Sequence, residues 1–261
     1  MSKKSKIYFA SDFHLGAPGA LSSLDREKKI VTWLNEIQSD AKEIYLVGDV
    51  FDFWYEWKRT IPRGHVRILG KLAEICDKGT PVHFFTGNHD LWTFGYLEEE
   101  IGLIVHHHPI EINLQGKVCF IGHGDGLGPE DKGYKFLKKV FMNPICQWLF
   151  SRLHPNLSFY LADYLSSKSR ISNFETDKEF FKGEDKEWLV QYAISILSKK
   201  TINLFIFGHR HLPLKIRLNE KSQYINLGEW IQYYSYGVLE NGHFDMKFYN
   251  STFTKAVNEK S

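Results

Sequence analysis

The sequence predicts an α/β fold that opens βαβαβ and continues into a β-rich half, with helices packed outside the sheets. Three observations carry this prediction. Short apolar, β-rich runs each stop at a polar cluster, amphipathic stretches separate the first three runs, and Gly-containing turns punctuate the second half. The first run is KIYFASDFH (6–14). Over 25–38, Ile30, Leu34 and Ile37 recur at helical spacing and form one apolar stripe. EIYLVGDVFD (43–52) is the second run, and 65–78, with Ile68, Leu72 and Ile75, is the second helical stretch. VHFFTGNHD (82–90) completes the opening. NLQGKV (113–118) and LENGHF (239–244) read as hairpin turns, the latter through its Asn-Gly pair. KVCFIGHGD (117–125) and NLFIFGHRH (203–211) are the fourth and fifth runs, and the tail from 223 reads as a β-meander.

Composition narrows the class. A chain of 261 residues with 43% hydrophobic content can fill a sizeable core. No repeat or low-complexity linker interrupts it, so 1–261 is expected to be one domain with an insertion. A formal net charge of +2 argues against a general nucleic-acid binder. The cysteines, Cys76, Cys119 and Cys146, are odd in number and lack C-x-x-C spacing, which fits buried thiols in a reducing compartment. MSKKSKIYFASD is basic but too short in apolar residues for a signal peptide, and no run reaches membrane-spanning length. The expectation is a cytosolic protein.

The informative regularity is where the polar clusters fall. All five runs end in Asp, Asn or His, often beside Gly. In open α/β sheets ligands bind beyond the carboxyl ends of the strands, so these ends should converge. Each cluster alone is as well explained by a Gly/Asx turn; five in register are not. They supply Asp12, His14, Asp49, Asn88, His123, His209 and His211, a carboxylate, amide and imidazole set without thiolate. That set suits Mn²⁺, Fe²⁺ or Zn²⁺ better than an all-oxygen Ca²⁺ cage. Seven donors are too many for one tetrahedral ion and fit two ions sharing a carboxylate, an arrangement that serves phosphoester hydrolysis.

DFH, GDVFD, GNHD, GHGD and GHRH, in this order, resemble the five signature blocks of calcineurin-like metallophosphoesterases. The resemblance implies a sandwich of two mixed sheets flanked by helices. It implies one metal on Asp12, His14, Asp49 and His211, and a second on Asp49, Asn88, His123 and His209, with Asp49 bridging. His89 would then face the phosphoryl group as stabiliser or general acid, with Asp90 fixing its tautomer. The longer match is to the UDP-2,3-diacylglucosamine diphosphatases of lipid A synthesis. It runs through GDVFDFWYEW, GHGDGLGPEDKGY with Asp131, Lys132 and Tyr134, Pro144-x-x-Gln147-x-Leu149-Phe150, SSKS (166–169), GHRHLP and LGEW. This implies cleavage to UMP and the acylated sugar 1-phosphate by attack at the α-phosphorus, two divalent ions with Mn²⁺ foremost, and a cytoplasmic protein held peripherally at the inner membrane. The implied substrate contacts are Asn88, His89, Asp131, Lys168, His209 and Trp54. His89 departs from the Arg those enzymes carry after the Asn, and Leu161 and Leu165 replace polar residues. A relative acting on another nucleotide or phosphodiester is the alternative.

The insertion, at about 127–180, can also be read from its own residues. Leu137, Phe141, Ile145 and Leu149 recur at helical spacing, and Pro144 and Pro155 divide the segment into short helices. Lys132, Lys135, Lys138, Lys139, Arg152, Lys168 and Arg170 make its charge mainly basic. Two readings stand: a hairpin that buries its apolar face on the core, or a helical cap with an apolar slot for acyl chains and a basic rim toward a membrane. The HHH tract (106–108) reads as a loop, GHGDGLG (122–128) lacks the setting of a dinucleotide turn, and Tyr233, Tyr234 and Tyr236 read as strand packing.

Overall fold

The computed structural model describes residues 4–128, 132–162, 164, 181 and 183–252. The expectations for Asp131, Leu165, Lys168 and Arg170 lie outside these residues. Among those described, two mixed β-sheets stack face to face with helices on both outer sides. The first sheet has the order β11 (His243–Phe248), β10 (Ser235–Glu240), β1 (Lys6–Ala10), β2 (Ala41–Val47), β3 (Val82–Phe85), β4 (Ile104–His106). Strands β1 to β4 run parallel and β10 joins β1 antiparallel. The second sheet has the order β5 (Ile110–Leu114), β6 (Lys117–Ile121), β7 (Leu204–Phe207), β9 (Gln223–Leu227), β8 (Pro213–Arg217), with β6, β7 and β9 parallel.

The period-2 alternation of strand side chains divides the core. On β1, Ile7 and Phe9 point between the sheets, where they meet Tyr45, Val47, Ile121, Ile206, Ile225 and Leu227. Tyr8 and Ala10 point the other way, under α1 (Ser23–Ile37) and α2 (Val66–Asp77), whose predicted stripes supply Ile30, Leu34, Ile37, Ile68, Leu72 and Ile75. Burial on both faces is why these strands read as nearly continuous apolar runs. The second sheet is covered by α7 (Trp188–Leu197), through Leu189, Val190 and Ala193 against Phe120, Phe205, Phe207 and Tyr224.

Both predicted hairpins form: Gln115 and Gly116 join β5 to β6, and Asn241 and Gly242 join β10 to β11, all with positive φ. The meander expected after 223 does not. Strand β8 precedes it, β9 lies inside the second sheet, and the chain then crosses to the first sheet as β10. The crossing is made by a carboxylate-organised loop: Glu229 accepts the amides of Ile231, Gln232 and Tyr233 and turns the chain without a hairpin. Trp230, fully buried, donates its indole N–H to Ser235 O.

Between β6 and α7 the chain forms α4 (Lys132–Phe141), α5 (Pro144–Ser151) and α6 (155–162), after a short helix α3 (Tyr96–Glu99) earlier in the chain. Pro144 is at the first position of α5 and Asn143 caps it, accepting from Ile145 and Cys146 N–H, so the expected division at proline is present. The segment leaves at Gly128 and returns at Trp188, and the two ends touch: a Cβ built on Gly128 would lie 3.4 Å from the Trp188 ring.

Candidate metal centre

Every strand named in the sequence prediction stops just before its polar cluster, so the seven expected donors lie on the first residues beyond β1, β2, β3, β6 and β7. The turns there are tight. Asp12, His14, Asp49, His209 and His211 all have φ between +44° and +68°, a conformation that costs roughly 1–3 kcal/mol at a non-glycine residue. Close packing demands glycine beside them. A Cβ on Gly48 would lie 2.4 Å from the His123 ring, and one on Gly208 would lie 2.0 Å from Ser11 Oγ.

These turns gather the side chains into overlapping groups. Asp12, His14 and His211 form one, Asp49, His123 and His209 another, and His14, Asp49 and His89 a third between them. In the first, His14 Nε2 lies 3.2 Å from His211 Nε2 and 3.5 Å from Asp12 Oδ1, which itself lies 3.2 Å from His211 Nε2. In the second, His123 Nε2 is 3.2 Å from Asp49 Oδ2 and 3.2 Å from Asn88 Oδ1, and His209 Nδ1 is 2.9 Å from the same amide oxygen. Asp49 Oδ2 also lies 3.8 Å from His14 Nε2, between the two groups.

These groups fit cations. Asp12 Oδ2 accepts from the His209 amide at 3.0 Å and from the Ser11 hydroxyl, but Oδ1 is buried with no hydrogen-bond partner. A buried carboxylate oxygen without a donor costs on the order of 1–3 kcal/mol unless something positive satisfies it. His123 donates from Nδ1 to Val47 O at 2.9 Å, which points Nε2 at Asp49 and Asn88, the orientation a metal-ligating histidine takes. Burial opposes charge on His14, yet the Asp12, Asp52 and Asp49 carboxylates around it outweigh it and lift its pKa to about 10. Asp12 and Asp49 are held well below the usual carboxylate range by the surrounding histidines, against the effect of burial. Burial and the neighbouring His123 push His209 down to about 4, so this ring is neutral.

Two expected roles are corrected. Asp90 does not orient His89: its buried carboxylate accepts the amides of Gly87 (2.7 Å), Val50 (2.8 Å), Asp49 (3.3 Å) and Phe51 (3.4 Å), which ties the β2 and β3 turns together. His89 Nδ1 instead meets Asp52 O at 2.8 Å. Trp54 is not a substrate contact. It is fully buried, stacked on Phe51 with centroids 4.2 Å apart, and its indole N–H donates to Glu56.

Asp52 is the residue that sequence reading missed. Its Oδ1 lies 3.5 Å from His14 Nδ1 and 3.6 Å from His89 Nδ1, so one carboxylate stands behind both rings. Asp52 is the last residue of GDVFD, three after Asp49, a block from which the sequence assigns only Asp49 a role. Arg210, between His209 and His211, forms a bidentate pair with buried Glu187 at 2.8 Å for each bond and anchors the β7 turn to the start of α7.

The helical segment lies beside the centre. Asp125, two residues after His123, is buried and accepts from Tyr134 Oη at 2.6 Å and from Lys138 Nζ at 2.5 Å, both on α4. Further attachment comes from aromatics. Phe53, Tyr55 and Trp92 of the body pack against Phe141, Phe150 and Phe159, while Trp92 donates to Phe141 O and Tyr55 to Gln147 O, each at 2.9 Å. Of the expected stripe, Phe141 meets Trp92, whereas Leu137 is 45%, Ile145 68% and Leu149 55% exposed; Trp148 beside them is 56% exposed, and α5 buries no residue.

The model of the calcineurin-like phosphoesterase family matches residues 5–243. The chain is 38% identical over 249 residues to a Porphyromonas gingivalis protein named UDP-2,3-diacylglucosamine hydrolase, covering 91% of this chain and 95% of that one. A Vibrio parahaemolyticus protein of the same name is 28% identical over 225 residues, covering 85% and 89%. Among solved structures, a dimetal phosphatase from Danio rerio is similar with a TM-score of 0.48 at 12% identity, covering 95% of this chain and 96% of that one.

Proposed function

The chain belongs to the calcineurin-like phosphoesterase family, and we propose that it hydrolyses the pyrophosphate of UDP-2,3-diacylglucosamine to UMP and 2,3-diacylglucosamine 1-phosphate. The observation that carries the reading is the convergence of seven metal-donor side chains next to helices whose apolar faces are exposed. The relatives named UDP-2,3-diacylglucosamine hydrolase match over 91% and 85% of the chain, which supports the same substrate here. Asp12, His14, Asp49 and His211 would hold one divalent ion, and Asp49, Asn88, His123 and His209 the other, Mn²⁺ being the proposed metal. Such a pair supplies Lewis-acid charge to the phosphoryl oxygens and activates water for in-line attack.

The chain's own residues do the rest. Asp49 presents one oxygen to both groups while its other accepts the His89 amide at 2.9 Å, which fixes its rotamer. His89 is disfavoured as a cation by burial, so a proton on Nε2 is readily given to the reacting phosphoryl group. Asp52 accepts at Nδ1 and offsets the charge while the proton is held. Asp90 keeps the two turns in register.

The helices α4 to α6 would act as a cap that takes the acyl chains, within a single domain spanning 1–261. Lys135, Lys139 and Arg152 stand among the exposed apolar residues, a pairing that suits the anionic inner face of a membrane. No described helix is long and apolar enough to cross a membrane, in keeping with peripheral attachment of a cytoplasmic enzyme. Incubating the Mn²⁺-loaded protein with UDP-2,3-diacylglucosamine tests the reading: UMP and the acylated sugar 1-phosphate are expected. Hydrolysis of a simple phosphodiester without release of UMP would move the substrate elsewhere in the family.

A further inference from the structure

Arg26 is fully buried in the first turns of α1, and the residues expected to carry chemistry do not include it. Its Nη2 donates to His14 O at 2.6 Å and to Ala17 O at 2.7 Å. Its Nε and Nη1 are buried with no hydrogen-bond partner. Two stranded donor nitrogens, carrying three N–H bonds between them, each cost on the order of 1–3 kcal/mol, so a leucine here would give α1 a cheaper core contact. A guanidinium at this position is therefore explained by what its bonded end does.

That end acts on one ligand. The His14 backbone is held at φ +44°, its N–H donates to Asp49 O at 2.9 Å, and its carbonyl accepts from Ala17 N at 3.0 Å and from Arg26. The next turn closes over the guanidinium: a Cβ on Gly19 would lie 3.0 Å from Arg26 Nη1. Burial weighs against charge on Arg26, while the carboxylates of Asp52 and Glu229 favour it. Glu229 organises the loop whose Trp230 amide holds Asp12 O at 3.1 Å. Arg26 thus stands behind Asp12 and His14. None of its bonds reaches the turns that carry Asn88, His123 or His209.

We propose that Arg26 is a positioning residue that fixes the left-handed backbone of His14, and that it sets the affinity of the Asp12, His14 and His211 half of the centre without setting that of the other half. The proposal rests on the reading that these two groups each hold a metal ion.

The test is calorimetric titration of chelator-treated full-length protein with Mn²⁺ alone, for wild type, R26M and R26K. Partners lying behind metal ligands are typically worth 10- to 100-fold in affinity. R26M is expected to weaken one of two Mn²⁺ affinities by 10- to 100-fold and to leave the other within threefold. R26K, which keeps the charge on a single nitrogen, should recover part of the loss at the same site. With a soluble phosphodiester, the Mn²⁺ concentration for half-maximal rate should rise in parallel while kcat at saturating Mn²⁺ stays within about threefold. Two unchanged affinities in folded R26M, or equal weakening of both, overturn the proposal. If R26M fails to fold, R26K decides, and two wild-type affinities there overturn it equally. Fewer than two Mn²⁺ bound by wild type would remove the metal reading itself, whereas two bound by wild type with both affinities unchanged in the variants removes Arg26 alone.

Discussion

The strand-end turns and the helices α4 to α6 are adjacent and built on opposite principles. In the turns, Asp12, His14, Asp49 and His123 are buried, the backbone is strained, and each of the four is held from behind by an amide, a carbonyl or a second charge. In the helices, large apolar side chains point outward, and attachment relies on a few aromatic contacts, two hydrogen bonds to backbone carbonyls and the Asp125 cluster. A centre that must hold charge in one geometry needs a core around it. A surface proposed to meet flexible acyl chains needs apolar area, and gains from not being locked.

The sharpest break is expected from Asp49→Ala, because Asp49 stands between the two groups: both Mn²⁺ ions should be lost from calorimetric titration, and turnover should fall to background. Retained turnover would refute the site. His89→Gln should be next in size, lowering kcat by roughly 10²- to 10⁴-fold while Mn²⁺ stoichiometry stays at two; loss of metal would instead make His89 a ligand.

On the other side of the comparison, serine at Ile145, Trp148 and Leu149 together should reduce turnover of the diacylated substrate by about tenfold or more and leave a small soluble phosphodiester within twofold. Each exposed side chain contributes about 1.5–3 kcal/mol when buried against lipid. Equal loss of both activities would make the helices a structural support only.

The smallest effect concerns stability rather than turnover. His83, on β3, stacks on Tyr45 at 4.3 Å and meets His106 at 2.9 Å. Burial, and then His106, lower its pKa from 6.5 to about 4. A base depressed in the folded state stabilises it above the unfolded value, and that contribution is lost as pH falls from about 6.5 toward 4. Urea midpoints should drop across that window, and His83→Phe should flatten the drop; an unchanged slope would exclude His83 as its source. This pairing also gives the first residue of the HHH tract, His106, its role at the end of strand β4.

The parts of the molecule differ in how far the sequence exposes them. Ligands after β1, β2, β3, β6 and β7 were legible because each follows an apolar run, so chain position alone puts them at one end of the sheets. The positive φ values at Asp12, His14 and His211 were not, since neither residue type announces that geometry. Asp52 and Arg26 act through space on His14, and no local pattern marks such partners. Strand β8 was hidden because PLKIR begins with proline directly after a ligand turn and reads as loop. The outward face of α5 could not be decided from periodicity, which reports that a stripe exists but not what it meets.

The contact between Gly128 and Trp188 has a bearing on how this enzyme could diversify. A segment whose two ends touch can be exchanged without changing the distance between β6 and α7, if the replacement keeps partners for Asp125 and Arg210. Recombination between relatives could swap one set of helices for another and retune which chains are accepted, while the inherited catalyst stays in place. For the engineer, the same junction marks where a graft or a short Gly-Ser bridge would be inserted.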